Sequence, residues 1–203
     1  TETQQRILDA ARHIFVQKGR ELSTMGDIAK EAGINRTALN YYFRSKDKLF
    51  DGVFEHVLKS FLPHIEKIIE ADKPVLEKFR DIIEAHTDFL LDNPNLPYFV
   101  LTEMNRDPVQ LLETMQDMNG PAILSKFAEQ IEAEMHAGTV RRRPMIDIIT
   151  AYAGLMFLPF LIKNILTLVY FPGTRDGLEQ YVAQRKQMVF EAMRGLLEPE
   201  KKD

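Results

Sequence analysis

The 203-residue chain contains no cysteine. That absence excludes disulfides and cysteine nucleophiles, and it fits a reducing cytoplasm. No phosphate-cradling glycine loop, G-x-S-x-G elbow or H-E-x-x-H occurs either, so neither an enzymatic activity nor a cofactor is expected. The five histidines are scattered. His56 and His64 lie near Glu66, but Pro63 intervenes and no H-x-x-x-H pair exists, so no metal is expected. Sustained apolar alternation of the strand kind is missing, as are internal repeats and low-complexity tracts. No signal peptide opens the chain, and its first residue is Thr1 rather than Met, so a few native residues are expected ahead of it. One apolar run is long. Ile148 to Phe171 spans 24 residues with only Lys163 and Asn164 strongly polar, a length that reaches across a bilayer. Lys163 inside such a span would cost about 3 kcal/mol on insertion scales, and Pro159 interrupts the helical ladder. The expectation is therefore a helix buried on all sides, with no membrane partner.

A hydrophobic content of 45% allows a substantial core, and the pattern suggests an early head followed by a larger body. Charge divides the same way. Residues 1–48 carry nine Lys or Arg against six Asp or Glu, and the remainder carries 17 against 24. The positive excess is modest, but it lies at the amino end.

Within that end, Thr24 and Asp27 have the spacing of a reciprocal cap, which predicts a helix from Met25. Ile28, Ala29 and Ala32 recur at helical spacing, Gly33 supplies a stop, Ile34 plugs the turn, and Asn35 can cap a second helix. On the second helix, 100° steps put Arg36, Thr37, Asn40 and Tyr41 on one arc and Ala38, Leu39, Tyr42 and Phe43 on the other. The first arc carries donors and acceptors able to meet base edges or phosphates, and no carboxylate. Polar arcs of this outline also occur in proteins that bind nothing, so the surroundings decide. Ahead of the pair, Ile7, Leu8, Ala11, Ile14 and Phe15 form a helical stripe ended by Gly19. After it, Ser45 can cap a long helix through Leu49, Phe50, Val53, Phe54, Val57 and Leu58, whose start carries Arg44, Lys46 and Lys48. A helix start with cations beside it is suited to hold a phosphate. Together these segments predict a helix-turn-helix head of the kind that enters the DNA major groove.

Over about the first 50 positions the chain resembles the tetracycline-repressor (TetR) family of bacterial transcriptional regulators. The likeness rests on Ile7, Leu8, Ala11, Phe15 and Gly19, then Ile28, Ala29, Ala32, Gly33 and Ile34, then Leu39, Tyr42, Phe43, Ser45, Lys46 and Leu49. Its most specific strings are A-G-I and Y-F-R-S-K-D-K-L. The resemblance implies an all-α fold, with a three-helix DNA-binding head at 1–48 and a helical ligand-binding and dimerisation body at 49–203. Residues expected at DNA are Thr24, Arg36, Thr37, Asn40, Tyr41, Tyr42 and Lys46, with Lys46 at a phosphate. The chain departs from the family's habit at Asn40, where Tyr is common, and at Thr37, where Gly or Ala is frequent. Asn40 can pair with adenine; a local bond to the backbone is the alternative.

The body reads as helices: one opened by Pro74 and running from Val75 to Leu90, shorter ones at Tyr98 to Met104 and Val109 to Met118, and another from Ile123 to about His136, ended at Gly138. The long apolar helix follows, and then a last stripe from Leu178 to Leu196. The Arg141–Arg143 run reads as a solvated loop, and the tail from Pro199 to Asp203 as disordered. By resemblance the last two helices pair with their mates in a homodimer, which Ala151 and Gly154 would let approach closely, and the operator is palindromic. An apolar inducer is implied within the body. The residues proposed for it are Phe61, His86, Phe89, Phe99, Met104, Met115, Phe127, Phe157, Phe160 and Asn164, most of which also suit plain core. Two functions remain open: a ligand-released repressor, and a helical DNA-binding or interaction protein without a small-molecule switch.

Overall fold

The computed structural model describes residues 1–174 and 176–199, the side chains at 16, 17, 103, 106 and 110 excepted; the tail beyond Pro199 lies outside the described residues. Every regular element among them is a helix. The chain divides into two compact units, residues 1–61 and 62–203.

The first unit contains α1 (Glu2–Leu22), α2 (Met25–Glu31), α3 (Arg36–Tyr42) and the first part of α4 (Lys46–Glu70). Its boundaries are set by local caps. Gly19, at φ 72°, interrupts α1 before its last turn. The Thr24 hydroxyl accepts from the Asp27 N–H while the Asp27 carboxylate accepts from the Thr24 N–H, each at 3.1 Å. Gly33 turns the chain at φ 64°, and the Asn35 side chain accepts from the Ala38 N–H at 2.8 Å. Ser45 accepts from the Lys48 N–H at 3.2 Å and opens α4. Ile7, Ala11, Ile28, Leu39 and Leu49, all fully buried, supply much of the core. Gly52 lets α4 pack tightly there, since a Cβ at that position would sit 3.0 Å from Phe43 Cε1 and 3.3 Å from Leu8 Cδ2.

The second unit contains the rest of α4 with α5 (Val75–Asp92), α6 (Leu96–Arg106), α7 (Pro108–Asp117), α8 (Gly120–Ala137), α9 (Met145–Leu161), α10 (Lys163–Tyr170), α11 (Gly177–Gln184) and α12 (Lys186–Leu197). Helix α5 packs on α8, α11 and α12, and α9 packs on α6 and α12. Phe79, Ile83, Leu90, Ile148, Phe190 and Met193 lie in the shared core. Gly138 ends α8 at φ 78°, the left-handed stop its sequence predicts. Lys78 is buried in this unit, and its ammonium donates to the Ile69 carbonyl and to Gln130 Oε1, both at 2.6 Å. A carbonyl near the end of α4 thereby gains a partner, as a buried polar group requires.

Two sequence expectations need correction. The run from Ile148 to Phe171 is not one helix buried on all sides: it breaks at Ile162 into α9 and α10, which are bent by 64°, and α10 has no buried residue. Pro159 withholds an N–H from the ladder one turn before the break. Just past it, Lys163 reaches Asn95 Oδ1 at 2.5 Å, a polar partner that an uninterrupted apolar helix would not offer it. The stripe from Leu178 to Leu196 likewise divides at Arg185, whose guanidinium lies over the Tyr181 ring at 5.4 Å. No single helix among the described residues is long and apolar enough to cross a membrane.

The α10–α11 turn depends on a missing side chain. A Cβ on Gly177 would lie 2.8 Å from Phe171 Cβ and 2.9 Å from its Cγ, atoms held close to the backbone that cannot swing clear. Gly177→Ala is therefore expected to lower stability by about 1–3 kcal/mol. The check is a shift of the urea midpoint of the second unit, and an unchanged midpoint would show that the turn accommodates the methyl group.

Candidate functional site

Helix α3 presents the two arcs of its sequence as two different environments. Leu39 is fully buried and Phe43 is 8% exposed, whereas Arg36, Thr37 and Asn40 are exposed and Tyr41 is 84% exposed. Tyr42, placed on the packing arc yet also expected at DNA, is half-buried, with its ring edge-on to Tyr41 at 5.4 Å. Among the described residues the Asn40 carboxamide makes no hydrogen bond, and neither does the Arg36 side chain. Their donors are available to a ligand.

Thr24 is exposed, but its hydroxyl is engaged with Asp27, donating to Oδ2 at 2.9 Å. Hydrogen bonds from Thr24, with Lys18 at 3.2 Å adding to them, hold the Asp27 carboxyl below its usual range. Its negative charge is thus matched by a neighbouring cation. Lys46 is placed differently from the other expected contacts. It is half-buried, and its ammonium is directed at backbone carbonyls of the α1–α2 corner.

In the second unit, four of the residues proposed for an inducer gather around a side chain that sequence reasoning missed. His86 Nδ1 and the Tyr152 hydroxyl share a hydrogen bond of 2.8 Å. The His86 ring lies 5.5 Å from Phe157 and 6.4 Å from Phe89, and Phe79 links Tyr152 to Phe127 at 6.1 and 5.1 Å. Burial pulls the His86 pKa down to about 4, so the imidazole is neutral at pH 7, and the same burial pushes the Tyr152 phenol up, so it keeps its proton. A neutral polar pair framed by rings results. The available signal for Tyr152 was its place one turn after Ile148 and one turn before Met156, both buried. The other proposed residues disperse. Phe99 and Phe160 are buried, Met115 is half-buried beside Gly120, and Phe61 is half-buried in the first unit. Met104, 55% exposed, and Asn164 stand at the surface. Arg142 and Arg143 are exposed and border a shallow cleft with His136 and Met135.

Residues 7–53 match the family model described as bacterial regulatory proteins of the tetR family. The nucleoid occlusion factor SlmA of Mannheimia succiniciproducens is 33% identical over 96 residues, which are 47% of this chain and 44% of that protein. The fatty acid metabolism regulator protein of Bacillus subtilis is 24% identical over 112 residues, 55% of this chain and 58% of the relative. The chain thus spans about half the length of these curated relatives. Solved structures extend the likeness in fold to nearly the whole chain. The fatty acid degradation regulator FadR of Bacillus halodurans gives a TM-score of 0.68 at 17% identity, covering 96% of this chain and 97% of that one. FadR of Bacillus subtilis in complex with stearoyl-CoA gives 0.67 at 17%, covering 95% and 98%. The head at residues 7–53 is thus similar in sequence to the bacterial regulatory proteins of the tetR family, and the helical body is similar in fold to solved regulators.

Proposed function

We propose that this protein is a sequence-specific DNA-binding transcriptional regulator acting in the cytoplasm as a homodimeric repressor, released from a palindromic operator by a small, largely apolar ligand. The observation that carries the DNA reading is the exposed arc of α3. It offers Arg36, Thr37, Asn40 and Tyr41 outward from a helix whose opposite side is anchored by Leu39, as a recognition helix must. In this reading the head is residues 1–48, with Thr24 and Tyr42 at its edges, and the body at 49–203 binds the ligand and the second subunit.

Exposed apolar side chains support the dimer. Ile146, Ile149 and Leu158 of α9 and Ile165, Leu168 and Tyr170 of α10 are each more than half exposed, and faces of this kind mark protein contacts. Gly154 has no neighbouring atom within 4 Å of a Cβ position, which leaves room for a close backbone approach. Two α3 helices in such a dimer would enter successive major grooves about 34 Å apart. For the ligand, support comes from the rings around His86 and Tyr152 and from the relative of similar fold solved with stearoyl-CoA. A ligand that prefers another spacing of the heads lowers DNA affinity by its differential affinity for the two forms.

Selection of bound fragments from the source genome tests the DNA reading. Asn40→Ala is expected to weaken binding to the selected fragment by about tenfold to a hundredfold, the worth of one paired base contact, while leaving binding to a scrambled duplex unchanged. Equal loss on both would remove Asn40 from base readout. Arg36→Ala should weaken the selected fragment as well; failure of the wild-type chain to bind any fragment at low salt would sink the function itself.

A further inference from the structure

The α1–α2 corner and the first turn of α4 are held together by three neighbouring side chains of α4. Lys46 Nζ lies 3.0 Å from the Arg20 carbonyl, 3.3 Å from that of Ser23 and 3.5 Å from that of Glu21. Asp47 Oδ1 accepts from Arg20 Nη2 at 2.7 Å. The Arg20 guanidinium lies 5.0 Å from the Phe50 ring centroid, and Phe50 lies 4.7 Å from Phe15. The three carbonyls belong to the end of α1 and the corner beyond it, where Gly19 has broken the ladder and only that of Arg20 is given a backbone donor, the Ser23 N–H at 3.3 Å, among the described turn contacts. An ammonium has three N–H groups. With three carbonyls around it, Lys46 has none to give a phosphate unless it releases the corner.

We propose that Lys46 is a positioning residue: it caps the carbonyl end of α1 and fixes the α1–α2 corner on α4, so that α3 meets DNA at a set angle, and it does not hold a phosphate. This rests on the DNA reading above. A cation at a helix carbonyl end is favourable in itself. Its half-buried position also keeps Lys46 from the hydrated, mobile state in which a surface lysine follows a DNA backbone. The phosphate role near this corner then falls to Arg44, which is exposed and makes no ion pair or hydrogen bond among the described residues.

The test uses the full chain and a genomic duplex selected by the wild type, with affinity titrated between about 50 and 200 mM salt. Lys46→Met removes donors and charge at similar length; it is expected to lower affinity at least tenfold at every salt concentration without changing the slope of log affinity against log salt. Lys46→Gln keeps neutral donors and should recover part of that loss, again with the wild-type slope. Arg44→Gln should reduce the slope by about 0.9 per subunit, the signature of a lost phosphate contact. A slope reduced by that amount in Lys46→Met or Lys46→Gln overturns the assignment, and so does a Lys46→Met affinity within twofold of wild type. If the Met variant fails to fold, the Gln variant decides the slope alone. Amide exchange over Ser23–Asp27, measured without DNA, should accelerate in Lys46→Gln; unaltered exchange also overturns the assignment, whereas a wild type that binds no fragment fails the DNA reading and leaves this readout to judge the clamp.

Discussion

Leu39→Ala is expected to lower the stability of the first unit by about 3 kcal/mol, the usual cost of truncating a fully buried leucine to alanine. Leu39 has no solvent exposure, so no water fills the space without passing into a small apolar core. A unit of this size buries a limited share of its surface and has little stability in reserve. The expected observation is a first unfolding transition, followed by amide exchange across α2 and α3, that moves to much lower urea while exchange in α5 and α12 stays put. DNA binding should fall with it, through loss of the folded head. Arg36→Ala gives the contrast from the same helix: its side chain is exposed and makes no hydrogen bond among the described residues, so stability should stay within about 0.5 kcal/mol while DNA affinity falls. If Leu39→Ala leaves the head's transition in place, or Arg36→Ala moves it, the division of α3 into a packing side and a binding side is wrong.

The second large effect concerns acid. His86 is held neutral by burial, with its pKa lowered to about 4 against an unfolded value of 6.5. Between those two pH values the unfolded chain binds a proton there and the folded chain does not. Stability from this group is therefore complete above about pH 6.5, declines as the pH falls toward 4, and changes no further below it. At about 1.4 kcal/mol per pKa unit the whole loss is about 3–4 kcal/mol. Carboxylates titrate in the same window, so the useful measurement is the difference in unfolding free energy between wild type and His86→Asn at pH 7.5 and at pH 4.5. That difference should shrink by most of the linked amount as the pH falls. A difference independent of pH would mean that His86 is protonated in the folded chain or never buried. Tyr152→Phe removes the hydroxyl that shares the 2.8 Å bond with Nδ1, so the loss of that buried bond should destabilise the second unit at neutral pH.

What a reader of the sequence could determine is what neighbouring residues decide among themselves. The Thr24–Asp27 cap, the Asn35 cap, the Gly33 and Gly138 stops and the opposed arcs of α3 all appear where the sequence places them, because capping, positive φ and helical period act within a turn or two of chain. The same local grammar carries the resemblance to tetR-family heads. It could not place Lys46 on the carbonyls of Arg20, Glu21 and Ser23, or bury Lys78 against Ile69 and Gln130, or join His86 to Tyr152 across 66 positions. Those outcomes depend on which helices meet, and a lysine with a neighbour from another element is a different group from the same lysine in water. The breaks at Ile162 and Arg185 belong with them only in part. An apolar period continues across both; Pro159 marks the first break locally, and Arg185 lies on Tyr181 one turn back at the second, but the partner that Lys163 finds in Asn95, 68 positions away, is settled only by the packing of the second unit.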